Sequence, residues 1–261
     1  MKSNTRLVLF AVVLLALSLA CATLSGGNEV PAVEPTTVPI INSPAPIDTV
    51  AVPTKAPANT AAPVNTPTLA QQEFFTEEFE NDAYLDQWYY FTTGPNSDND
   101  DELQIFQEGD GLTLDLGTLD LYLYYIYDLQ TYKDVRLSMV AENLGRNNNN
   151  VSMVCRLDFD KGVWYEFSVE SGGLWYLYAY DNGYNFLDSG GTNSLKQGKA
   201  INEYGLECNG NEITMYINGD KIKSYTDRTF SLGEGEVGFN ISSLNVLPIT
   251  VNVKSFDIAQ P

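Results

Sequence analysis

Histidine is absent from this sequence of 261 residues, and basic residues are few. Without imidazole, Ser-His-Asp and Cys-His nucleophile activation, imidazole general-base catalysis and histidine-ligated zinc are excluded. The 14 Lys and Arg residues stand against 34 Asp and Glu, so the net charge is −20. A field of that sign repels nucleic acid and anionic lipid headgroups, but it tolerates cations and neutral ligands. We therefore expect no nucleic-acid partner, and a solvated acidic surface is the simplest interpretation of the charge.

The first 21 residues carry an export pattern. Lys2 and Arg6 precede an apolar stretch at 7–17 that is too short to span a bilayer. It ends at Ser18-Leu19-Ala20-Cys21, which resembles a bacterial lipobox, although Ser18 stands where that motif prefers leucine. The resemblance predicts a lipoprotein signal peptide at 1–21 and a lipid on Cys21, which would anchor the protein in the cell membrane on its extracytoplasmic face. Ordinary secretory cleavage nearby is the alternative.

Residues 22–72 are predicted to be a disordered linker rich in Pro, Thr and Ala. Nine of the twelve prolines lie between Asn28 and Gln72, and no aromatic residue does. Proline removes amide donors and favours extended backbone, and a stretch without aromatic residues has little to pack with. At about 3 Å per residue, such a tether would reach over about 100 Å when extended. A linker whose length has no role is the alternative.

Residues 73–261 are predicted to form one all-β domain. Strand-like segments recur every 8–12 residues with turn signals between them, as in sandwiches and barrels. Asn182-Gly183 and Asn218-Gly219 supply the positive φ that tight hairpins need. Alternation places Cys155, Leu157 and Phe159 on one apolar face of a strand. In a later hairpin it assigns two further apolar faces: Tyr204, Leu206 and Cys208 on one strand, and Ile213, Met215 and Ile217 on the next. Segments with one apolar face predict two antiparallel sheets packed against each other.

A resemblance to a known superfamily is carried by six segments: Phe75–Asn81 with Trp88, Val154–Asp158, Trp164–Phe167, Asn211–Gly219, Gly235–Phe239 and Val253–Ile258. These segments resemble concanavalin A-like, laminin-G-like jelly-roll domains. The resemblance implies a two-sheet antiparallel jelly-roll sandwich. It implies a fold more than a function, because that superfamily holds lectins, glucanases, 3-keto-disaccharide hydrolase-like domains and adhesion modules.

Cys155 and Cys208 are predicted to form a disulfide. They are the two cysteines left once Cys21 carries lipid, and an exported domain experiences oxidising conditions. Each lies on the apolar face of its strand, and the resembled superfamily places the two strands close together. The alternative is a pair of buried free thiols.

Catalytic residues are not predicted. The glucanases of the resembled superfamily carry Glu-x-Asp-x-x-Glu on one strand, and this sequence lacks it. The nearest fragment, Glu108-Gly109-Asp110, lies in a glycine turn without a third acid. Glu166 is a single acid among aromatic residues, and we interpret it as an ordinary polar residue of a strand.

A carbohydrate-binding surface is predicted on two strands. Tyr176, Tyr178 and Tyr180 fall on one face of one strand, and Trp164 lies on the preceding strand. Sugars stack their C–H faces on aromatic rings, and their hydroxyls seek amide and carboxylate partners. Aromatic residues are also favoured in strands for packing alone, which is the competing interpretation.

Structural calcium is a further hypothesis. Asp98, Asp100 and Glu102 offer oxygen ligands at alternate positions, although Leu103 stands where an EF-hand requires glycine. The resembled domains often hold calcium where their first and last strands meet, which implicates Glu78 or Glu80 with Asp257. Solvated acidic turns are the alternative.

Three functions follow from these patterns. The leading hypothesis is a surface-anchored, non-catalytic recognition module for carbohydrate. The second is an enzyme of the 3-keto-disaccharide hydrolase type, and the third is a structural or adhesion domain with a protein partner. An acidic pair in a cleft would favour the enzyme, an exposed Tyr/Trp face the carbohydrate module, and an apolar patch without polar neighbours the protein interface.

Overall fold

The computed structural model describes residues 73–146 and 148–261. The predicted signal peptide, the lipidated Cys21 and the linker at 22–72 lie outside the described residues. Within the described part of the chain, no helix is both long and apolar enough to cross a membrane.

The described residues form fifteen strands and one short 3-10 helix at Asp82–Asp86. In chain order the strands are β1 (Phe75–Glu77), β2 (Trp88–Thr93), β3 (Leu103–Gln107), β4 (Leu112–Leu116), β5 (Tyr122–Tyr132), β6 (Val135–Asn143), β7 (Asn149–Asp158), β8 (Val163–Glu170), β9 (Leu174–Asp181), β10 (Tyr184–Gly191), β11 (Ile201–Asn209), β12 (Glu212–Ile217), β13 (Asp220–Thr226), β14 (Gly235–Ser243) and β15 (Ile249–Ala259).

Two antiparallel sheets make the sandwich. One has eight strands in the order β13-β12-β11-β6-β15-β4-β3, with β1 also pairing with β15. The other has seven strands in the order β10-β9-β8-β7-β14-β5-β2. The predicted all-β, two-sheet antiparallel sandwich is therefore confirmed. The first and last strands meet, as the resemblance implied.

The main core lies between the two sheets and follows the period of two along each strand. The apolar faces predicted for β11 and β12 are both buried in it: Tyr204, Leu206, Cys208, Ile213, Met215 and Ile217. Since each strand sends alternate side chains inward, a sheet of several strands fills one continuous core. Trp88, Trp175 and Phe239 are among the large aromatic side chains buried there.

A disulfide joins Cys155 on β7 to Cys208 on β11, with the Cα atoms 6.8 Å apart. The predicted pairing is thus confirmed. The two strands belong to different sheets, so the bond crosses the core. Both residues are fully buried.

Two hairpins turn at the Asn-Gly pairs that the sequence indicates. Asn182 and Gly183 connect β9 to β10 with φ values of 51° and 153°. Asn218 and Gly219 connect β12 to β13 with φ values of 51° and 80°. Positive φ at both central residues matches the right-handed twist of the flanking strands.

A β-bulge in β7 overturns one sequence prediction. Arg156 has a φ of 56°, and the register of β7 against β8 shifts directly after Cys155. The extra residue inverts the alternation that follows it. Leu157 therefore packs with Val154 on the outer side of the sheet, and Phe159 is 59% exposed. The predicted common face of Cys155, Leu157 and Phe159 is wrong for this reason.

Asp227 anchors the segment between β13 and β14. Its buried carboxylate accepts the hydroxyl of Tyr165 and the backbone N–H groups of Thr229, Phe230 and Ser231. Burial acts to raise the pKa of Asp227, but these hydrogen bonds outweigh it and leave the pKa lowered. A single ionised side chain thus ties this segment to β8.

Candidate functional site

The seven-stranded sheet curves strongly. The hydroxyl oxygens of Tyr124 on β5 and Tyr184 on β10 lie 2.5 Å apart, although four strands separate β5 from β10. In a flat sheet their backbones would be about 24 Å apart, farther than two tyrosine side chains can span. The sheet therefore bends toward the side that faces away from the main core. We call this side the concave face.

The concave face takes alternate side chains from all seven strands. They are Tyr89 and Phe91 on β2, Tyr122, Tyr124 and Ile126 on β5, Asn240 and Ser242 on β14, Asn150, Ser152 and Val154 on β7, Trp164, Glu166 and Ser168 on β8, Tyr176, Tyr178 and Tyr180 on β9, and Tyr184 and Phe186 on β10. Aromatic rings thus share this surface with hydroxyl, amide and carboxyl groups.

One part of the concave face is filled by packed rings. Phe91 stacks on Tyr124 with the ring centroids 4.8 Å apart. Trp164 stacks on Tyr180 at 3.8 Å with the rings almost parallel, and its edge meets Tyr124 at 5.4 Å. Trp164 is only 4% exposed as a result. Of the four residues predicted to bind carbohydrate, Trp164 therefore lies beneath its neighbours and supports the accessible surface.

The other part of the face holds a cavity of about 260 Å³. Its lining contains three tyrosines, Tyr122, Tyr178 and Tyr184, and the acid Glu166. The other lining residues are Asn150, Ser168, Ser242 and Leu244. Aromatic walls with a few convergent polar groups are the usual composition of a small-molecule site.

Glu166 has a different environment from the one we expected. It is 3% exposed, and its Oε2 accepts hydrogen bonds from the hydroxyl of Tyr124 at 2.7 Å and the indole N–H of Trp164 at 3.2 Å. Burial raises the pKa of Glu166, while these hydrogen bonds act to lower it. Glu166 pairs with Val154 and Tyr178 in the sheet, so it is a polar residue of a strand as interpreted, although its carboxyl group is buried and hydrogen-bonded.

The three tyrosines predicted on β9 are brought together as the alternation indicates. Tyr176, Tyr178 and Tyr180 are all partly exposed on the concave face. The rings of Tyr176 and Tyr178 lie side by side, with centroids 6.0 Å apart and planes 16° apart. They offer a ridge of ring surface at the cavity.

Further residues of this face were missed by the sequence analysis. Tyr122 lies on the concave face, whereas Tyr125 and Tyr127 of the same strand point into the main core, as the period of two would have indicated. Tyr184 follows the Asn-Gly turn and pairs with Tyr180 across the hairpin. Phe186 is 62% exposed beside Tyr178. The register of the hairpin at Asn182-Gly183 would have placed Tyr184 and Phe186 on the same face as Tyr180 and Tyr178.

The predicted calcium ligands are not gathered into a site. Asp98, Asp100 and Glu102 are exposed between β2 and β3, and Glu78 is exposed as well. Asp257 accepts a hydrogen bond from the hydroxyl of Thr76 at 2.6 Å. Within residues 73–146 and 148–261, no group of three or more metal-binding side chains occurs. No three of these described carboxylates come together, and structural calcium at these residues stays a prediction.

Two other depressions have fewer aromatic residues in their lining than the concave cavity. A larger one of about 530 Å³ lies beside the first and last described residues, between Glu73, Tyr132, Lys133 and Pro261. Another of about 280 Å³ runs along the acidic residues Asp158, Asp160, Glu234 and Glu236. Neither combines several rings with convergent polar groups, so the concave cavity is the better candidate.

No family model matches this chain, and no curated protein matches it by sequence. Solved structures do. A protein of unknown function with a galectin-like fold from Bacillus subtilis superposes with a TM-score of 0.57 at 12% identity, covering 71% of this chain and 94% of that one. A glycoside hydrolase of family 16 from Bacteroides ovatus gives 0.54 at 11% identity, with 71% and 99% covered. The β-glucanase of Bacillus licheniformis gives 0.52 at 15%, with 72% and 98% covered.

These likenesses define the fold class. The chain is a concanavalin A-like jelly-roll sandwich, as the resemblance in the sequence predicted. At 11–15% identity these likenesses establish the fold alone and no function. In this chain the concave face is partly filled by stacked rings and elsewhere open as a cavity lined by tyrosines and Glu166.

Proposed function

We propose that this protein binds carbohydrate in the cavity of the concave face, without cleaving it, and that a lipid on Cys21 displays it on the extracytoplasmic face of the cell membrane. The observation that carries the first part is the cavity itself. Tyr122, Tyr178 and Tyr184 line the cavity together with hydroxyl, amide and carboxyl groups, and a sugar ring requires both kinds of partner.

The arrangement of acids speaks against glycoside hydrolysis. Glycosidases place two carboxyl groups about 5–9.5 Å apart across the scissile bond. The next acid on the same face of β8 is Glu170, four residues from Glu166 and about 13 Å away along the strand. Glu166 is directed toward Tyr124 and Trp164, while Glu170 bonds Tyr176. The two carboxyl groups are therefore held by different partners.

A protein interface is also less well supported. The rings of the concave face alternate with Ser, Asn and Glu side chains, whereas the buried centre of a protein interface is depleted in charged residues. Carbohydrate binding is also compatible with the fold, because two of the similar structures are named as enzymes that act on glucans.

Affinity electrophoresis of the purified protein against a panel of polysaccharides tests the proposal. We expect at least one neutral polysaccharide to retard the wild type, and Tyr178→Ala to weaken that binding about tenfold, because one stacking surface is lost. Tyr216→Ala is the matched control, since Tyr216 is half-buried on the outer side of the other sheet.

Two outcomes would overturn the proposal. One is a panel in which no polysaccharide or oligosaccharide retards the wild type. The other is a folded Tyr178→Ala variant that binds as tightly as Tyr216→Ala. Release of new reducing ends during the incubation would instead support the hydrolase hypothesis.

A further inference from the structure

Two hydroxyl groups in the lining of the concave cavity already donate their protons within the protein. The hydroxyl of Ser242 donates to Asn240 at 2.6 Å, which leaves the Ser242 oxygen as an acceptor. The hydroxyl of Tyr124 donates to Glu166, so the short contact between Tyr124 and Tyr184 leaves Tyr184 as its donor. These protons are thus committed within the protein. At Ser242 and Tyr184, a ligand entering the cavity therefore meets oxygen atoms that can accept a hydrogen bond.

One acceptor in the lining has no partner. Asn150 Oδ1 is buried and has no hydrogen-bond partner among the described residues. A buried acceptor without a donor costs about 1–3 kcal/mol, and such atoms are rare in folded proteins. Because Asn150 lines the cavity, a small movement of its side chain would bring this acceptor to a donor group of a ligand or to water.

The cavity also lacks positive charge. Among the described residues that line it, none is Lys or Arg, and none of the salt bridges in the described part of the chain involves Glu166. The Glu166 carboxyl group is thus buried without a counter-charge in a protein of net charge −20. A buried carboxylate gains most from a cation that arrives with its own hydrogen-bond donors.

The walls favour a cation for an independent reason. Tyr122, Tyr178 and Tyr184 line the cavity together with Glu166. The face of an aromatic ring attracts an ammonium group, and the attraction grows when the cation is desolvated. With about 260 Å³, the cavity is also smaller than the roughly 300–1,000 Å³ of pockets for drug-sized ligands, which suits a single sugar unit.

We infer that the concave cavity recognises an amino sugar through its ammonium group, so that the glycan bound carries free amines. The ammonium donates to Glu166 and Asn150, and the tyrosine rings cover the sugar. This inference rests on the proposed function and names the ligand class of the same cavity. It also implies that uronic acid and sulfated sugars are rejected, because they would bring negative charge to Glu166.

Oligosaccharides that differ only at C2 provide the test. Tetramers of β-1,4-linked glucosamine, N-acetylglucosamine and glucose carry an amine, an acetamide or a hydroxyl group at that carbon. Each is titrated into the purified protein by calorimetry at pH 6, where the amine is protonated. We expect the amine to bind at least about tenfold more tightly than the other two, as a charge-assisted hydrogen bond at a buried site does.

A pair of variants separates the effect of the Glu166 carboxyl group on amine binding from the effect of the protein's overall negative charge. Glu166→Gln and Glu236→Gln each remove one carboxyl group that accepts a tyrosine hydroxyl, but Glu236 bonds Tyr89 and does not line this cavity. We expect Glu166→Gln to lose the preference for the amine and Glu236→Gln to keep it. If Glu166→Gln does not fold, titration of the wild type at a pH where the amine is neutral replaces it, and the preference should then disappear.

The outcomes distinguish this inference from the proposed function. The amino-sugar inference would be overturned if the amine bound no more tightly than the acetamide or hydroxyl form. Carbohydrate binding would still stand if one of those two forms bound tightly and Tyr178→Ala weakened that binding. A preference that survives Glu166→Gln, or persists for the neutral amine, would overturn it too. Failure of all three tetramers and of every glycan in the polysaccharide panel would overturn both.

Discussion

Removing the disulfide between Cys155 and Cys208 should cost a large part of the stability of the domain. The cysteines are 53 residues apart, and a closed loop of that length restricts the unfolded chain by about 4 kcal/mol at 25 °C. Both side chains are fully buried, so replacing them with alanine also removes sulfur contacts worth about 1 kcal/mol each. We therefore expect Cys155→Ala/Cys208→Ala to lose about 5–6 kcal/mol, compared with a total of about 5–15 kcal/mol for typical domains.

Urea denaturation followed by tryptophan fluorescence measures this loss. Trp88, Trp164 and Trp175 are all buried, so their emission reports unfolding of both the core and the concave face. The double variant should also unfold with a larger dependence on urea concentration, because an unfolded chain without the cross-link exposes more surface. Wild type treated with reductant in urea should approach the behaviour of the variant.

The reasoning fails if the double variant loses less than about 1 kcal/mol with an unchanged urea dependence. It also fails if the unfolded, unreduced wild type yields two alkylatable thiols besides Cys21. The first result would mean that the cross-link restricts the unfolded state very little. The second would mean that the two sulfurs are packed as free thiols.

Two further predictions concern Asp227 and Cys21. Asp227→Asn should destabilise the domain by about 2–3 kcal/mol at pH 7, because the carboxylate accepts four hydrogen bonds in a buried site. Since the folded-state pKa of Asp227 is lowered, its contribution is complete above the unfolded pKa and is lost as the pH falls through the folded value. The gap between the thermal melts of the two proteins should thus begin to shrink below about pH 4 and vanish below the folded pKa, and a constant gap would contradict this. Cys21→Ser should move the protein from the membrane fraction to the soluble fraction of cells, and an unchanged distribution would speak against lipidation.

Local signals in the sequence were sufficient for the two-sheet sandwich. Alternation of apolar and polar residues along β11 and β12 assigned their buried faces, because each strand must place one face on the core. Asn182-Gly183 and Asn218-Gly219 marked hairpins, because only a few residues adopt positive φ easily. These two features depend on neighbours within a few residues along the chain. The pairing of Cys155 with Cys208 rested instead on elimination, on oxidising conditions, on the apolar faces of their strands and on the resembled superfamily.

The site was decided by tertiary structure. One extra residue at Arg156 inverts the faces of Leu157 and Phe159, and a bulge leaves no turn signal in the sequence. The curvature of the seven-stranded sheet brings Tyr124 onto Tyr184 across four strands, which buries Glu166. The same curvature leaves Tyr178 open at a cavity while Tyr180 covers Trp164. The sequence alone therefore determined which residues form strands and which of their faces are apolar, since those properties are local. Which rings pack, which stay accessible and which acid lies beneath them depends on contacts between distant strands of a curved sheet, and only the folded chain makes those contacts.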